Sequence, residues 1–332
     1  MPLSDLTLAE LEEYVPALET PDDLHEFWKR TLAAQARYPI EVHSELIPTH
    51  LMTLEHYDIS YSGYGGAPIK AWLTRPAGVE RDLPLVVEFQ GYNGGRGLPV
   101  ERLTWASAGY AHLFVDTRGQ GGTWGGGGHT PDPQGSDPAA PGFMTRGILD
   151  RDNYYYRRVF VDAVRAVQAG RQLPGVRAES VTVAGGSQGG GIALAVAALV
   201  PDLTAVLADV PFLSHFRRAV DITTEDPYRE ITRYLSTHRD RTEQVFRTLS
   251  YFDVANLVTA ANAPALFSVA LMDTVCPPST VYAAFRQYAG PAEIVVYPYN
   301  DHEGGQAHHW TRQLSWLADR MPPGEFPTPP RP

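Results

Sequence analysis

The spacing of apolar positions changes once along the chain, near Thr74. Before that point, LEHYDISYS (54–62) and IKAWLT (69–74) alternate apolar and polar residues on either side of the turn-forming GYGGAP, which predicts an antiparallel hairpin. After it, short continuous apolar runs alternate with helical stretches: LVVEF (85–89), AHLFV (111–115), VTVA (181–184), AVLADV (205–210), ALFSVAL (265–271) and EIVVY (293–297). A run without a polar face suits a strand covered on both sides, so this order predicts an α/β fold with a mostly parallel central sheet flanked by helices. Ahead of the hairpin, Thr20 can cap a helix, Pro21 suits its first position, and Asp22 and Asp23 suit the positive end of its dipole. That helix is expected to run to about Arg37.

Two segments interrupt the repeat. Residues 124–156, WGGGGHTPDPQGSDPAAPGFMTRGILDRDNYYY, are rich in Gly and Pro and too long for a plain connection, which points to a functional or interface loop. Residues 212–253 are helical and charged and fall between two strands, where a cap would be inserted. There is no internal repeat and no linker, so residues 1–332 are expected to form one domain with two insertions. The tail PPGEFPTPPRP is expected to fray.

Composition narrows the classes. The chain has 332 residues, 43% of them hydrophobic, enough for a sizeable core. Net charge is −11 and the 27 Lys and Arg are scattered, which argues against nucleic acid as a partner. The start, MPLSDLTLAELEEYVP, carries acids where a signal peptide would carry basic and apolar regions, and no apolar run reaches membrane-spanning length. A cytoplasmic, soluble protein with no membrane partner is therefore expected. The single cysteine, Cys276, excludes an internal disulfide.

The chemistry centres on VTVAGGSQGGG (181–191). Gly185-Gly186-Ser187-Gln188-Gly189 matches G-x-S-x-G between a strand and a helix, the context in which a tight elbow lifts a serine above the sheet edge. The Gln188 amide, at the helix start, is placed to meet a developing negative charge. A serine of this kind needs a base and an acid that orients the base, in the order Ser, Asp, His, each on a loop after a strand. Asp273 follows ALFSVAL and His302 follows EIVVYPYN. Asp116 and Asp209 also end strands, but the first precedes the serine and the second comes one strand too early. Asp301 is too near His302 to orient its ring. His308 and His309 fall on the closing helix, where packing or solvent-facing roles are the default. Cys276 lacks an elbow and suits a buried filler.

The second oxyanion donor should come from FQGYNGGRG (89–97), through the amide of Tyr92, although the glycines there also suit a simple turn. Tyr92, Trp124 and Phe212 could wall a short acyl pocket. HEGGQ (302–306) lacks the second histidine of the H-E-x-x-H signature, and GQGGTW (119–124) lacks the third glycine of a dinucleotide fingerprint. Neither a metal nor any other cofactor is expected.

Taken together, GYNGG (91–95), DTRGQGG (116–122), PGFMTRGILD (141–150) leading into YYYRRVFVDAVRAV (154–167), GGSQGGG (185–191), LMDTVCPPST (271–280) and NDHEGG (300–305) resemble carbohydrate esterase family 7, the acetyl xylan esterases and cephalosporin C deacetylases. The resemblance covers nearly the whole chain. It implies an α/β-hydrolase fold, Ser187 as nucleophile, His302 as general base, Asp273 as orienting acid, and the Tyr92 and Gln188 amides as oxyanion donors. It also implies that residues 124–156 join subunits into a homohexamer whose inner cavity admits small acetylated sugars or cephalosporins. Gln90 departs from the family, which usually has histidine before GYNGG. Competing readings are a serine peptidase or dienelactone-type hydrolase of the same fold, or an inactive carbohydrate-binding scaffold.

Overall fold

The computed structural model of the protein describes residues 5–324, so most of the tail expected to fray lies outside the described residues. Two helices lead the chain, α1 (Leu8–Glu12) and α2 (Leu24–Gln35). Thr7 closes α1 with a capping box to Glu10. The second helix starts later than its sequence suggests, because the Thr20 hydroxyl donates to Asn256 Oδ1 at 2.7 Å instead of capping. A tertiary partner has displaced the local cap. Helix α2 buries Leu24, Phe27 and Trp28, one stripe at i, i+3 and i+4, and its two aromatics pack edge-on against Phe252.

Nine strands follow: β1 (Val42–Ile47), β2 (Leu54–Ser62), β3 (Pro68–Pro76), β4 (Leu83–Phe89), β5 (Ala111–Val115), β6 (Val176–Gly186), β7 (Ala205–Asp209), β8 (Ala265–Ala270) and β9 (Ala292–Tyr297). They form one sheet in the order β1-β2-β3-β5-β4-β6-β7-β8-β9. The expected hairpin is β2 and β3, antiparallel with Leu54 opposite Pro76 and Ser62 opposite Pro68. From β5 onward every pairing is parallel. Strands β4, β5 and β8 are buried along their whole length, as their unbroken apolar runs require. Strand β1 was not expected: VHSELI lies largely exposed at the sheet edge and carries little apolar pattern.

The remaining helices are α3 (Thr104–Ser107), α4 (Tyr155–Gly170), α5 (Gln188–Leu199), α6 (Phe216–Ile222), α7 (Tyr228–Thr237), α8 (Thr242–Leu249), α9 (Val254–Leu257), α10 (Pro278–Gln287) and α11 (Gln306–Ala318). The strand after β4 lies on one side of it and β6 lies on the other, so the order reverses at β4. The crevice at the carboxyl ends of β4 and β6 is the place where such sheets build sites. This is the α/β-hydrolase fold.

Both interruptions of the repeat are ordered. Helices α6 to α8 fill residues 212–253, and α9 follows them before β8. Residues 124–154 run irregularly with one 3-10 turn at Phe143–Thr145, while Tyr155 and Tyr156 already belong to α4. Buried carboxylates anchor this loop. Asp116 accepts the Arg96 and His129 amides and the Thr130 hydroxyl, and Asp132 receives Arg118 at 3.3 Å and Arg158 at 2.8 Å. Among the described residues, no helix is long and apolar enough to cross a membrane.

Candidate active site

The elbow after β6 fixes the serine. Ser187 has φ 55° and ψ −121°, a backbone that a side chain adopts only when its surroundings enforce it. Its amide donates to the Asp209 carbonyl at 2.8 Å and its carbonyl accepts from the Phe212 and Gly191 amides. Close approach explains the flanking glycines: a Cβ on Gly189 would lie 2.0 Å from the Phe89 carbonyl oxygen, and one on Gly185 would lie 2.3 Å from the Gly189 carbonyl carbon. Helix α5 is thereby pressed onto the ends of β4 and β6.

Ser187, His302 and Asp273 converge at this edge. His302 Nε2 lies 2.9 Å from Ser187 Oγ, and His302 Nδ1 lies 2.8 Å from Asp273 Oδ2. A carboxylate only accepts, so Nδ1 carries the proton it donates and Nε2 is left to accept from the serine hydroxyl. The other oxygen of Asp273 accepts the Val275 and Cys276 amides, each at 2.8 Å, and the residue is fully buried. A hydroxyl aligned on a correctly oriented imidazole is the arrangement that generates an acyl-directed nucleophile.

Two backbone amides near this group have no acceptor within the protein. Among the described residues, neither the Tyr92 nor the Gln188 N–H donates to any protein oxygen. Their side chains and loops are held from behind. Gln188 Nε2 donates to the Gln90 carbonyl, its Oε1 accepts from the Tyr156 hydroxyl at 2.8 Å, and it exchanges bonds with the Gln120 side chain. Gln90 closes its own loop: Nε2 donates to the Gly95 carbonyl at 2.7 Å and Oε1 accepts the Gly91 amide at 2.8 Å. A side chain used as both donor and acceptor at fixed reach explains why an amide can stand there.

A cavity of about 970 Å³ opens onto Ser187 and His302 and extends along α11 to Trp310 and Arg102. Tyr92 and Trp124 line it, with Trp124 donating from Nε1 to the Tyr92 carbonyl at 2.8 Å. Phe212 does not reach it. This expected wall residue is wholly buried beneath the site, packed against Tyr228 at a ring separation of 4.3 Å and against Tyr92 at 6.2 Å, so it supports the wall rather than forming it.

The alternative acids and bases have other partners. Asp301 accepts the His302 amide, and Asp116 ties down the irregular loop. Asp209 accepts from Gln313 Nε2 at 2.7 Å and lies 3.1 Å from the buried His309, whose other nitrogen meets the Tyr297 hydroxyl; His308 is exposed. Cys276 is buried, which pushes its thiol well above the ordinary range. The sequence gives no sign of Glu230, on α7, whose carboxyl meets the Tyr92 hydroxyl at 2.6 Å. It stands in an ordinary charged helix, and its partners lie far away in the chain.

Residues 1–320 match the acetyl xylan esterase family model. The chain belongs to the acetyl xylan esterase family. That places it with carboxylic ester hydrolases rather than with the peptidases that share the fold. Within this family, the chain is 38% identical to the acetyl xylan esterase from Paenibacillus sp. R4, with a TM-score of 0.88 over 95% of this chain and 100% of that one. It is 32% identical to acetyl xylan esterase 1 from Thermoanaerobacterium sp. JW/SL YS485, with a TM-score of 0.85 over 94% and 99% of the two chains. The acetyl esterase Axe7A of Xylanibacter ruminicola is 27% identical over 92% of this chain and 69% of its own length.

Proposed function

We propose that the protein is a serine esterase that removes acetyl groups from small esters, such as acetylated xylo-oligosaccharides and cephalosporin C, through an acetyl-serine intermediate. The observation that carries this reading is the continuous hydrogen-bond line from Ser187 through His302 to Asp273, beside two amides with no protein acceptor. Ser187 Oγ attacks the acetyl carbonyl as His302 Nε2 takes its proton. The carbonyl oxygen becomes an alkoxide held by the Tyr92 and Gln188 amides. Collapse breaks the bond to the sugar or cephem oxygen, which leaves with the proton from His302. Water then enters, gives its proton to His302 and attacks the acetyl carbon; collapse breaks the bond to Ser187 Oγ, which takes the proton back from His302, and acetate is released.

The cavity volume is at the upper end of small-molecule sites, roomy enough for an alcohol of more than one sugar ring. A homohexamer assembled through residues 124–156, with the sites facing inward, would restrict access to small esters. Rates on p-nitrophenyl acetate, butyrate and octanoate, compared with acetylated xylobiose and with Ser187→Ala as control, test the proposal. Acetyl esters should be cleaved fastest and Ser187→Ala should be inactive; faster cleavage of octanoate would overturn the deacetylase reading. Light scattering coupled to size exclusion decides the hexamer.

A further inference from the structure

The Tyr92 side chain reaches the cap, and what its hydroxyl meets there is not part of the reacting group. Its hydroxyl donates to Glu230 Oε1 at 2.6 Å and accepts the Phe143 amide at 3.0 Å. The same carboxyl accepts the Gly142 amide on Oε1 at 3.0 Å and the Met144 amide on Oε2 at 3.1 Å. Glu230 belongs to α7 in the cap, residues 142–144 to the long irregular loop, and Tyr92 to the loop after β4. One buried carboxyl thus joins three segments that the chain keeps far apart.

We infer that Glu230 is a positioning residue for the oxyanion hole, holding the cap and the 142–144 turn against the Tyr92 side chain so that the Tyr92 amide stays aimed at the carbonyl oxygen. The inference rests on the reading of that amide as an oxyanion donor. Aim is what such a donor contributes, since its bond must form at the alkoxide position without reorganisation. The peptide that carries the Tyr92 amide is held at its carbonyl end, where Gly91 O accepts from Gly94 at 3.1 Å, and the next peptide is held by Trp124 and by Gln120 Oε1, which accepts the Asn93 amide at 2.6 Å. Those contacts hold the backbone of the turn. The Tyr92 side chain is its further tie to the cap, and Phe143 and Phe212 pack edge-on against its ring at 5.7 and 6.2 Å. Three donors converge on Glu230, so an alanine there leaves two amides and a phenol without their acceptor in a buried place.

Steady-state rates on p-nitrophenyl acetate, with the affinity for a trifluoromethyl ketone that forms a hemiketal alkoxide on the serine, test this for Glu230→Ala, Glu230→Gln, Tyr92→Phe and the Tyr92→Phe/Glu230→Ala pair. We expect kcat to fall about ten- to a hundredfold in Glu230→Ala and Tyr92→Phe, with KM within about threefold and ketone affinity falling in step. The pair should be no worse than the poorer single variant, because both cut one tie, and Glu230→Gln, which keeps one accepting oxygen, should recover part of the rate. Wild-type kcat and ketone affinity in Glu230→Ala, a loss confined to KM or to thermal stability, or losses that multiply in the pair would overturn the inference. If Glu230→Ala does not fold by circular dichroism, Tyr92→Phe, which keeps the carboxyl and the ring, decides the question alone by the same two readings. Ser187→Ala separates the two levels: activity in that variant sinks the reading of the site, whereas an inactive Ser187→Ala beside an unimpaired Glu230→Ala sinks the positioning role only.

Discussion

Asp273 presents its two oxygens to different masters: Oδ2 receives His302 Nδ1 at 2.8 Å, while Oδ1 is saturated by the Val275 and Cys276 amides. The carboxylate therefore cannot swing, and the imidazole is locked in the tautomer that leaves Nε2 open toward Ser187. Asp273→Asn would offer an NH₂ to Nδ1 and turn the ring to the wrong tautomer. The expected loss in kcat is about 10⁴-fold, against about 10⁶-fold for Ser187→Ala. Stopped-assay rates on p-nitrophenyl acetate compare the two, and an Asp273→Asn enzyme within tenfold of wild type would contradict the assignment.

The elbow glycines are not equivalent. An added Cβ on Gly189 would meet the Phe89 carbonyl oxygen at 2.0 Å, backbone against backbone, whereas one on Gly186 would meet nothing nearer than the Asp209 Cβ at 3.9 Å. Gly189→Ala should cost about 1–3 kcal/mol of stability or more, together with most activity, since α5 must retreat from β4 and carry Gln188 with it. Gly186→Ala, at an exposed position, should stay within about 0.5 kcal/mol of wild type. Urea unfolding of the two variants measures the difference; equal costs would mean that the packing of α5 on β4 is not what the glycines serve.

Trp124 covers Gly91 and Gly94, with its ring carbons 3.5 and 2.5 Å from where their Cβ atoms would be, and its own ring remains about half exposed at the cavity mouth. Trp124→Ala would remove this wall and the bond to the Tyr92 carbonyl together, while Trp124→Phe would remove the bond alone. We expect Trp124→Ala to raise the butyrate-to-acetate ratio of kcat/KM by about tenfold, the scale of one or two methylenes in a pocket, and Trp124→Phe to leave that ratio nearly unchanged. A ratio unmoved in Trp124→Ala would place the acyl wall elsewhere.

How much of this was readable in the chain depends on where each residue's partners lie. Strands β4, β5, β7 and β8 and the VTVA half of β6 announce themselves because burial on both faces demands continuous apolar runs, while β9 shows the run EIVVY although it lies only partly buried at the far sheet edge; the loops that follow these strands carry Ser187, Asp273 and His302 to one edge by topology alone. Strand β1 was hidden because an exposed edge strand needs no such run. Thr20 reads as a cap in isolation and is a tertiary donor in the fold. Phe212 was assigned to the cavity because an aromatic's sequence neighbours do not tell whether its ring faces a void or the rings of Tyr92 and Tyr228. The roles of Glu230 and Gln120 left no trace, since each acquires its place from residues tens of positions away, whereas His309 packs within the fold, one of the two roles expected of a histidine on the closing helix.

His215, the residue before α6, is buried with φ 49°, and its Nε2 lies 3.1 Å from the Tyr14 hydroxyl. Burial, with Arg218 nearby, pushes the imidazole down to about 4. The unfolded chain, with an ordinary histidine near 6.5, binds the proton first. The contribution is therefore complete above about pH 6.5, is lost as pH falls toward 4, and is flat below; the shift corresponds to roughly 3 kcal/mol. Asp253, which accepts the His215 and Phe216 amides, is pushed up to about 6 by burial and acts in the opposite sense, losing its contribution as pH rises through 6. Its effect is common to wild type and to His215→Asn, an asparagine being the side chain that best tolerates a positive φ. Urea unfolding of both proteins at pH 7.5, 6.5, 5.5 and 4.5 should show wild type losing stability on acidification faster than the variant by most of that amount. Parallel curves would mean that His215 takes up its proton as readily in the folded protein as in the unfolded chain, and the buried neutral imidazole would have to be abandoned.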